Sequence, residues 1–231
     1  MKRGLLILLV QLLIDTTNLF SQTNRLLTLE VLPVADEQTV HAEKCFSLKN
    51  DSICIELLKF YISGIQFFNK GIPVWSEIQS FHLIDIEKPQ SCLVKINIPD
   101  QLVADELVFN LGIDSLTSVS GAFGADLDPT QGMYWTWQSG YINIKMEGKS
   151  QRCTTRNHEF QFHLGGYQSP FNACQNICLD LQKNDSHNIL INFQNLFDKI
   201  DLAKQNQIMS PGKNAYTLSQ YFSEIFSVIP K

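Results

Sequence analysis

The sequence predicts an all-β fold, an antiparallel β-sandwich or barrel with short C-terminal helices. Three observations carry that expectation. From Leu26 to Ile113, short β-branched or aromatic runs are separated by turn residues, the pattern of antiparallel strands. About nine such runs over the whole chain suit a sandwich or barrel better than an isolated hairpin. Beyond Leu196 the apolar residues switch to helical spacing, which places the helices last.

The first residues stand apart from that domain. Lys2 and Arg3 are basic, Gly4 to Ile14 is an apolar run broken only by Gln11, and Asp15 ends it. A membrane span needs about 20 apolar residues. The order of basic, apolar and small residues instead predicts a secretory signal peptide over residues 1–21, cleaved after Ser21. No later segment is long and apolar enough to cross a bilayer, so residues 22–231 read as one periplasmic or secreted domain.

Export sets how the cysteines read. Cys45, Cys54, Cys92, Cys153, Cys174 and Cys178 lie in the mature chain, where disulfides can form. None belongs to a C-x-x-C, so disulfides or small buried thiols are expected rather than a metal knuckle. Cys45 with Cys54 is the expected local bridge.

The strands follow in order. Leu27 to Val34 alternates partly, and Ser52 to Phe68 is a long run in which Gly64 marks a bulge. Asn69-Lys70-Gly71 supplies hairpin-turn chemistry before Ile72 to Trp75. Further strands are expected at Phe81–Ile86, Leu93–Ile98, Glu106–Gly112, Gly140–Glu147, Glu159–Leu164 and Asn188–Phe193. Asp114 to Gly132 is a Gly, Asp, Ser and Pro-rich loop without periodicity, of the kind that is functional or mobile. Leu196–Ala203 and Ala215–Val228 carry helix-spaced apolar residues, and Met209-Ser210-Pro211-Gly212 separates them.

Charge and motifs then exclude several functions. A net charge of −5 with no long Lys/Arg cluster leaves no basic face for nucleic acid. The chain has no G-x-S-x-G, H-E-x-x-H, P-loop or G-x-G-x-x-G turn, so no catalytic set is expected and the protein reads as a non-enzyme. Asp126 and Asp128, near Asp114, lack EF-hand spacing and read as a solvated loop with calcium as the rarer reading.

The unusual cluster follows the loop. Two of the three tryptophans, Trp135 and Trp137, are two residues apart and share a face with Met133 if the segment is extended, and Tyr141 follows the turn at Gly140. Core packing is the plain reading of such aromatics. His163 ends the short alternating strand Glu159 to Leu164 on the parity of Gln161, away from Phe160 and Phe162. His82 lies in a similar setting. A neutral imidazole is the commonest protein metal ligand, although a lone His is more often simply hydrogen-bonded.

Leu111-Gly112-Ile113-Asp114-Ser115, the Asp126-Leu127-Asp128-Pro129 loop, Gly132-Met133-Tyr134-Trp135-Thr136-Trp137-Gln138-Ser139-Gly140-Tyr141 and Phe162-His163-Leu164-Gly165 together resemble the MbnP-like copper-binding proteins. The resemblance spans most of the mature chain. It implies a copper cofactor whose unusual ligand is kynurenine, made by oxidising a Trp of this motif through a transient di-haem partner similar to bacterial cytochrome c peroxidases. Carried over, Trp135 or Trp137 is the modified residue and His163 a ligand. The family's methanobactin-linked members carry a further His in the loop ahead of the motif, and Ser115 to Gln131 has none. His82 or Met133 is left to replace it, unless the site holds another ion or only the modification remains. A second function class also stays open, a secreted recognition module in which Trp135, Trp137, Tyr134 and Tyr141 form an aromatic platform for a glycan or protein.

Overall fold

Alternation of side chains builds the first strand. In β1 (Asn24–Ala35) the odd-numbered residues from Leu27 to Ala35 are buried and their neighbours are wetter, as a strand with one face on a core requires. The computed structural model describes residues 23–35, 38–42, 44–48, 51–136, 138–181 and 188–229. The expected signal peptide and Trp137 lie outside the described residues.

The remaining strands are β2 (Gln38–Thr39), β3 (Cys45–Leu48), β4 (Asp51–Asn69), β5 (Ile72–Ser76), β6 (Phe81–Asp85), β7 (Leu93–Pro99) and β8 (Glu106–Leu111). They continue as β9 (Tyr134–Thr136), β10 (Gly140–Ser150), β11 (Glu159–Gly165), β12 (Gln175–Asp180), β13 (Asn188–Asn192), β14 (Gln207–Ile208) and β15 (Phe226–Ile229). Among the described residues the α-helices are α1 (Ser115–Val119), α2 (Phe193–Phe197) and α3 (Lys213–Ser223). The fold is therefore all-β, as the spacing of apolar runs predicts.

The strands form two sheets. The smaller runs β15-β13-β1-β2, with β7 also on β1, and the larger runs β12-β8-β4-β10-β11-β14. β1 serves three partners: Asn24 to Glu30 pairs antiparallel with β7, Val31 to Val34 pairs parallel with β13, and Val34 and Ala35 pair antiparallel with β2. The parallel pairs β1–β13 and β11–β14 depart from the purely antiparallel expectation. Long connections between those strands allow them, since parallel neighbours cannot be joined by a tight hairpin.

β4 is the spine of the larger sheet. One edge pairs with β3, β6 and β5 in succession, and the other pairs with β10 and then β8. Gly64, at φ +60°, sits where the β4–β8 register shifts between Ser63 and Gln66, so the expected bulge is present. Ser80 closes it, its carbonyl accepting from Gly64 N and its hydroxyl from Ile65 N. At the far end Lys70 and Gly71 both have positive φ, and Asn69 pairs with Ile72 across a two-residue turn. At the near end Cys45 and Cys54 face each other across β3 and β4 with Cα atoms 4.0 Å apart and are joined in a disulfide. Cys92, Cys153, Cys174 and Cys178 are thiols, and burial pushes the Cys174 pKa up to about 12.

Inward residues of both sheets form one main core, including Leu29, Val31, Ile55, Leu58, Phe60, Met146, Phe160, Phe162 and Ile189. The C-terminal helices are shorter than the apolar spacing suggests. α2 starts at Phe193, where Asn192 accepts from Gln194 N, and it ends by Phe197 rather than running to Ala203. Asp201 then folds the chain into turns by accepting from Ala203 and Lys204. α3 stops at Ser223, and Phe226 to Val228 join the sheet by pairing with β13. Edge pairing has overridden helical periodicity there, because it satisfies backbone groups that a longer helix would leave off the sheet. The expected strand Asn188–Phe193 gives its last residue to α2, and β2, β3, β12 and β14 lie outside the expected strands.

Gly148 on β10 tests this packing. A Cβ there would lie 2.1 Å from the Cys54 carbonyl oxygen and 2.6 Å from Phe160 Cζ. Gly148→Ala should cost about 2 kcal/mol or more, as overpacking against backbone does, and lower the urea midpoint; an unchanged midpoint would contradict the register.

Candidate functional site

The loop expected from Asp114 to Gly132 has structure. Asp114 caps α1 by accepting from Thr117 N at 2.9 Å, and two 3-10 turns follow at Ala125–Leu127 and Pro129–Gln131. Asp128 accepts from the Thr130 backbone and hydroxyl, and Asp126 accepts from Leu83 N at 2.9 Å. Each carboxylate is spent on a backbone N–H, that of Asp126 on the distant strand β6, and among the described residues they do not gather as a metal site.

This loop covers the face of the large sheet turned away from the main core. Beneath it Tyr61, Leu83, Ile113, Leu127, Met133, Tyr141 and Ile142 form a second core, with Phe81, Tyr134 and Trp135 packed against it. Two phenols pin the loop: Tyr61 donates to the Asp126 carbonyl and Tyr141 to the Leu127 carbonyl, each at 3.0 Å. Tyr141 also accepts from Phe123 N at 3.0 Å. Burial raises both phenol pKa values, which keeps them protonated donors. Tyr134 stacks edge-on against Tyr141 with centroids 4.9 Å apart, and Tyr61 does so at 5.9 Å. Tyr134 and Tyr141 are thus internal packing, not part of an open aromatic platform.

Strand pairing places the histidines. Asp85, Lys59, Lys145 and His163 are directly opposite one another in successive strands β6, β4, β10 and β11, so they share this outer face. Lys59 and Lys145 therefore meet as like charges. Asp85, 1% exposed, offsets the first at 3.2 Å from Lys59 Nζ, and Glu147 lies 3.9 Å from Lys145 Nζ. Glu147 Oε1 is also 2.7 Å from His163 Nε2. Burial lowers the His163 pKa, with the Lys145 charge adding to it and the Glu147 hydrogen bond opposing, which favours the neutral ring.

Trp135 comes to the same face. A Cβ on Gly165 would lie 2.9 Å from Trp135 Cζ3 and 2.5 Å from the Tyr141 carbonyl oxygen, so the ring occupies space that only a glycine leaves. Gly165 and His163 are one two-residue repeat apart on β11, about 6.6 Å along the strand. Met133 is fully buried in the second core, directly before β9.

His82 stands apart. It pairs with Ile62, one residue out of phase with the Lys59 and Asp85 row, so it belongs to the opposite face. Its Nε2 is 2.7 Å from Glu77 Oε2, and Ser80 shares that carboxylate. Burial raises the Glu77 pKa, but the His82 and Ser80 hydrogen bonds outweigh it and leave the value lowered. Among the described residues no group of three or more His, Cys, Asp and Glu could hold a metal ion, and no helix there is long and apolar enough to cross a membrane. Sequence spacing singled out His163, Trp135 and Met133 but missed Lys145 and Glu147. Pairing the Gly140–Glu147 run with the Glu159–Leu164 run would have exposed both, since Glu147 and Lys145 then fall on the parity of His163.

The architecture and this face define an all-β protein with a second aromatic core beside a carboxylate-held histidine. The profile of the MbnP family matches residues 24–210, and the chain belongs to that family. Among solved structures, MbnP from Methylosinus trichosporium has the same fold, with a TM-score of 0.55 and 14% identity over 78% of this chain and 80% of that one. No curated protein sequence matches the chain.

Tyr141→Phe should release the loop without emptying the core. Losing the two hydroxyl bonds should cost about 1 to 3 kcal/mol and speed amide exchange at Phe123. Unaltered exchange there would show that the phenol does not hold the loop.

Proposed function

We propose that this is an exported copper-binding accessory protein, with the metal held by His163 and by a kynurenine made from Trp135. Family membership supports the copper assignment, and one observation carries the choice of residues: Trp135 packs on Gly165, next along the outer face from His163. Trp137 remains the second candidate for modification.

The encoded side chains meet copper halfway. A neutral imidazole held by a carboxylate is a sound donor, and nitrogen ligands suit copper. An indole has no lone pair suited to a metal, so Trp135 contributes only after its ring is opened. Met133 is enclosed by apolar neighbours and His82 is on the other face, which favours kynurenine over either as the partner of His163. Kynurenine therefore supplies the nitrogen that the sequence does not encode.

The conversion needs an oxidant from outside the chain. Two equivalents of hydrogen peroxide, reduced to two waters by a transient di-haem partner, put two oxygens across the indole C2–C3 bond and break it. Hydrolysis of the resulting N-formyl group releases formate and leaves the aryl amine. The role of this protein is to present the indole: Gly165 gives its ring room, and the phenol-pinned loop holds the hairpin that bears it.

Peptide mass spectrometry tests the modification. Trp135 in protein co-produced with its haem partner should be about 4 Da heavier, one carbon lost against one oxygen gained, and His163→Ala should weaken copper binding in that modified protein. An unmodified Trp135 and Trp137 would refute the kynurenine, and equal affinity in His163→Ala would refute the ligand.

A further inference from the structure

An imidazole has two nitrogens, and the one that carries the proton cannot coordinate. Glu147 Oε1 lies 2.7 Å from His163 Nε2 on neighbouring strands. A carboxylate only accepts, so Nε2 holds the hydrogen, and in the neutral ring Nδ1 keeps the lone pair. Glu147 is in turn placed by its strand. It is two residues from Lys145 on the same face of β10, and Lys145 Nζ lies 3.9 Å from Glu147 Oε1. The same Nζ approaches the Gly132 carbonyl at 3.5 Å, at the end of the turn that leads into Met133, Tyr134 and Trp135. One Lys–Glu pair thus touches both halves of the site.

We infer that Glu147 is a positioning residue, which fixes the His163 tautomer and ring so that Nδ1 is the coordinating nitrogen, while Lys145 ties that pair to the segment bearing Trp135. The inference rests on the reading of His163 as a ligand. It goes beyond that reading by assigning the coordinating atom and the residue that selects it. Directly across from Glu147 on β11 is Gln161, which brings no competing charge.

Nitrogen-15 NMR of the copper-free protein separates the two ideas, because it reads the tautomer without any metal. Wild type should show His163 protonated at Nε2. Glu147→Gln keeps an acceptor oxygen and should keep that tautomer, whereas Glu147→Ala should shift the ring toward Nδ1–H. Copper titration of the modified protein should then fall about 10-fold to 100-fold in Glu147→Ala, with recovery in Glu147→Gln. An Nδ1–H tautomer in wild type, or the same tautomer and affinity in Glu147→Ala, would overturn the positioning role. Equal copper affinity in His163→Ala would overturn the ligand reading instead and leave the tautomer result standing.

Discussion

Backbone pairing along both edges of β4 is the constraint on which the rest depends. A strand of 19 residues can satisfy its donors and acceptors on two edges only by changing partners: on one edge β10 gives way to β8 between Phe60 and Ile62, and on the other β6 gives way to β5 across the Gly64 bulge. Before those changes β6 and β10 lie against one stretch of β4, with Lys59 between Asp85 and Lys145. The same stretch turns Tyr61 outward beneath the loop. Everything at the candidate site follows from a register set by backbone hydrogen bonds and by Phe60 and Leu58 facing the main core.

The outer face is an unusual surface for a sheet because it is half apolar and half charged. Tyr61, Leu83, Met133 and Tyr141 are sealed under the loop, while Lys59, Lys145, Glu147 and His163 lie beside that seal. Burial depresses the imidazole pKa, and the carboxylate beside it keeps the ring oriented. An imidazole held by a carboxylate on the same face as Trp135 is what the proposed metal site would build on.

Much of this fold was legible in the residues. Alternation gave β1, β7 and β8, Gly64 marked the bulge, and Asn69 to Gly71 marked the hairpin, because each depends on local spacing or local φ. The C-terminal end is less helical than its apolar spacing suggests. Phe226 and Val228 fit a helix in isolation, and only the open edge of β13, distant in sequence, makes them a strand. Within the site, His163 and Trp135 stood out by type and spacing. Lys145 and Glu147 did not, since an alternating Lys-Met-Glu is ordinary on a half-wet strand until the partner strand shows what it faces. His82 looked equivalent to His163 in sequence, and cross-strand register alone separates them onto opposite faces.

The central claim is that one imidazole and one tryptophan-derived nitrogen hold copper on this face. Electron paramagnetic resonance of the modified protein loaded with Cu(II) tests it most directly. The account predicts nitrogen hyperfine structure that contains an imidazole contribution, lost in His163→Ala, and a second nitrogen, lost in Trp135→Phe. A spectrum unchanged by both substitutions would contradict it.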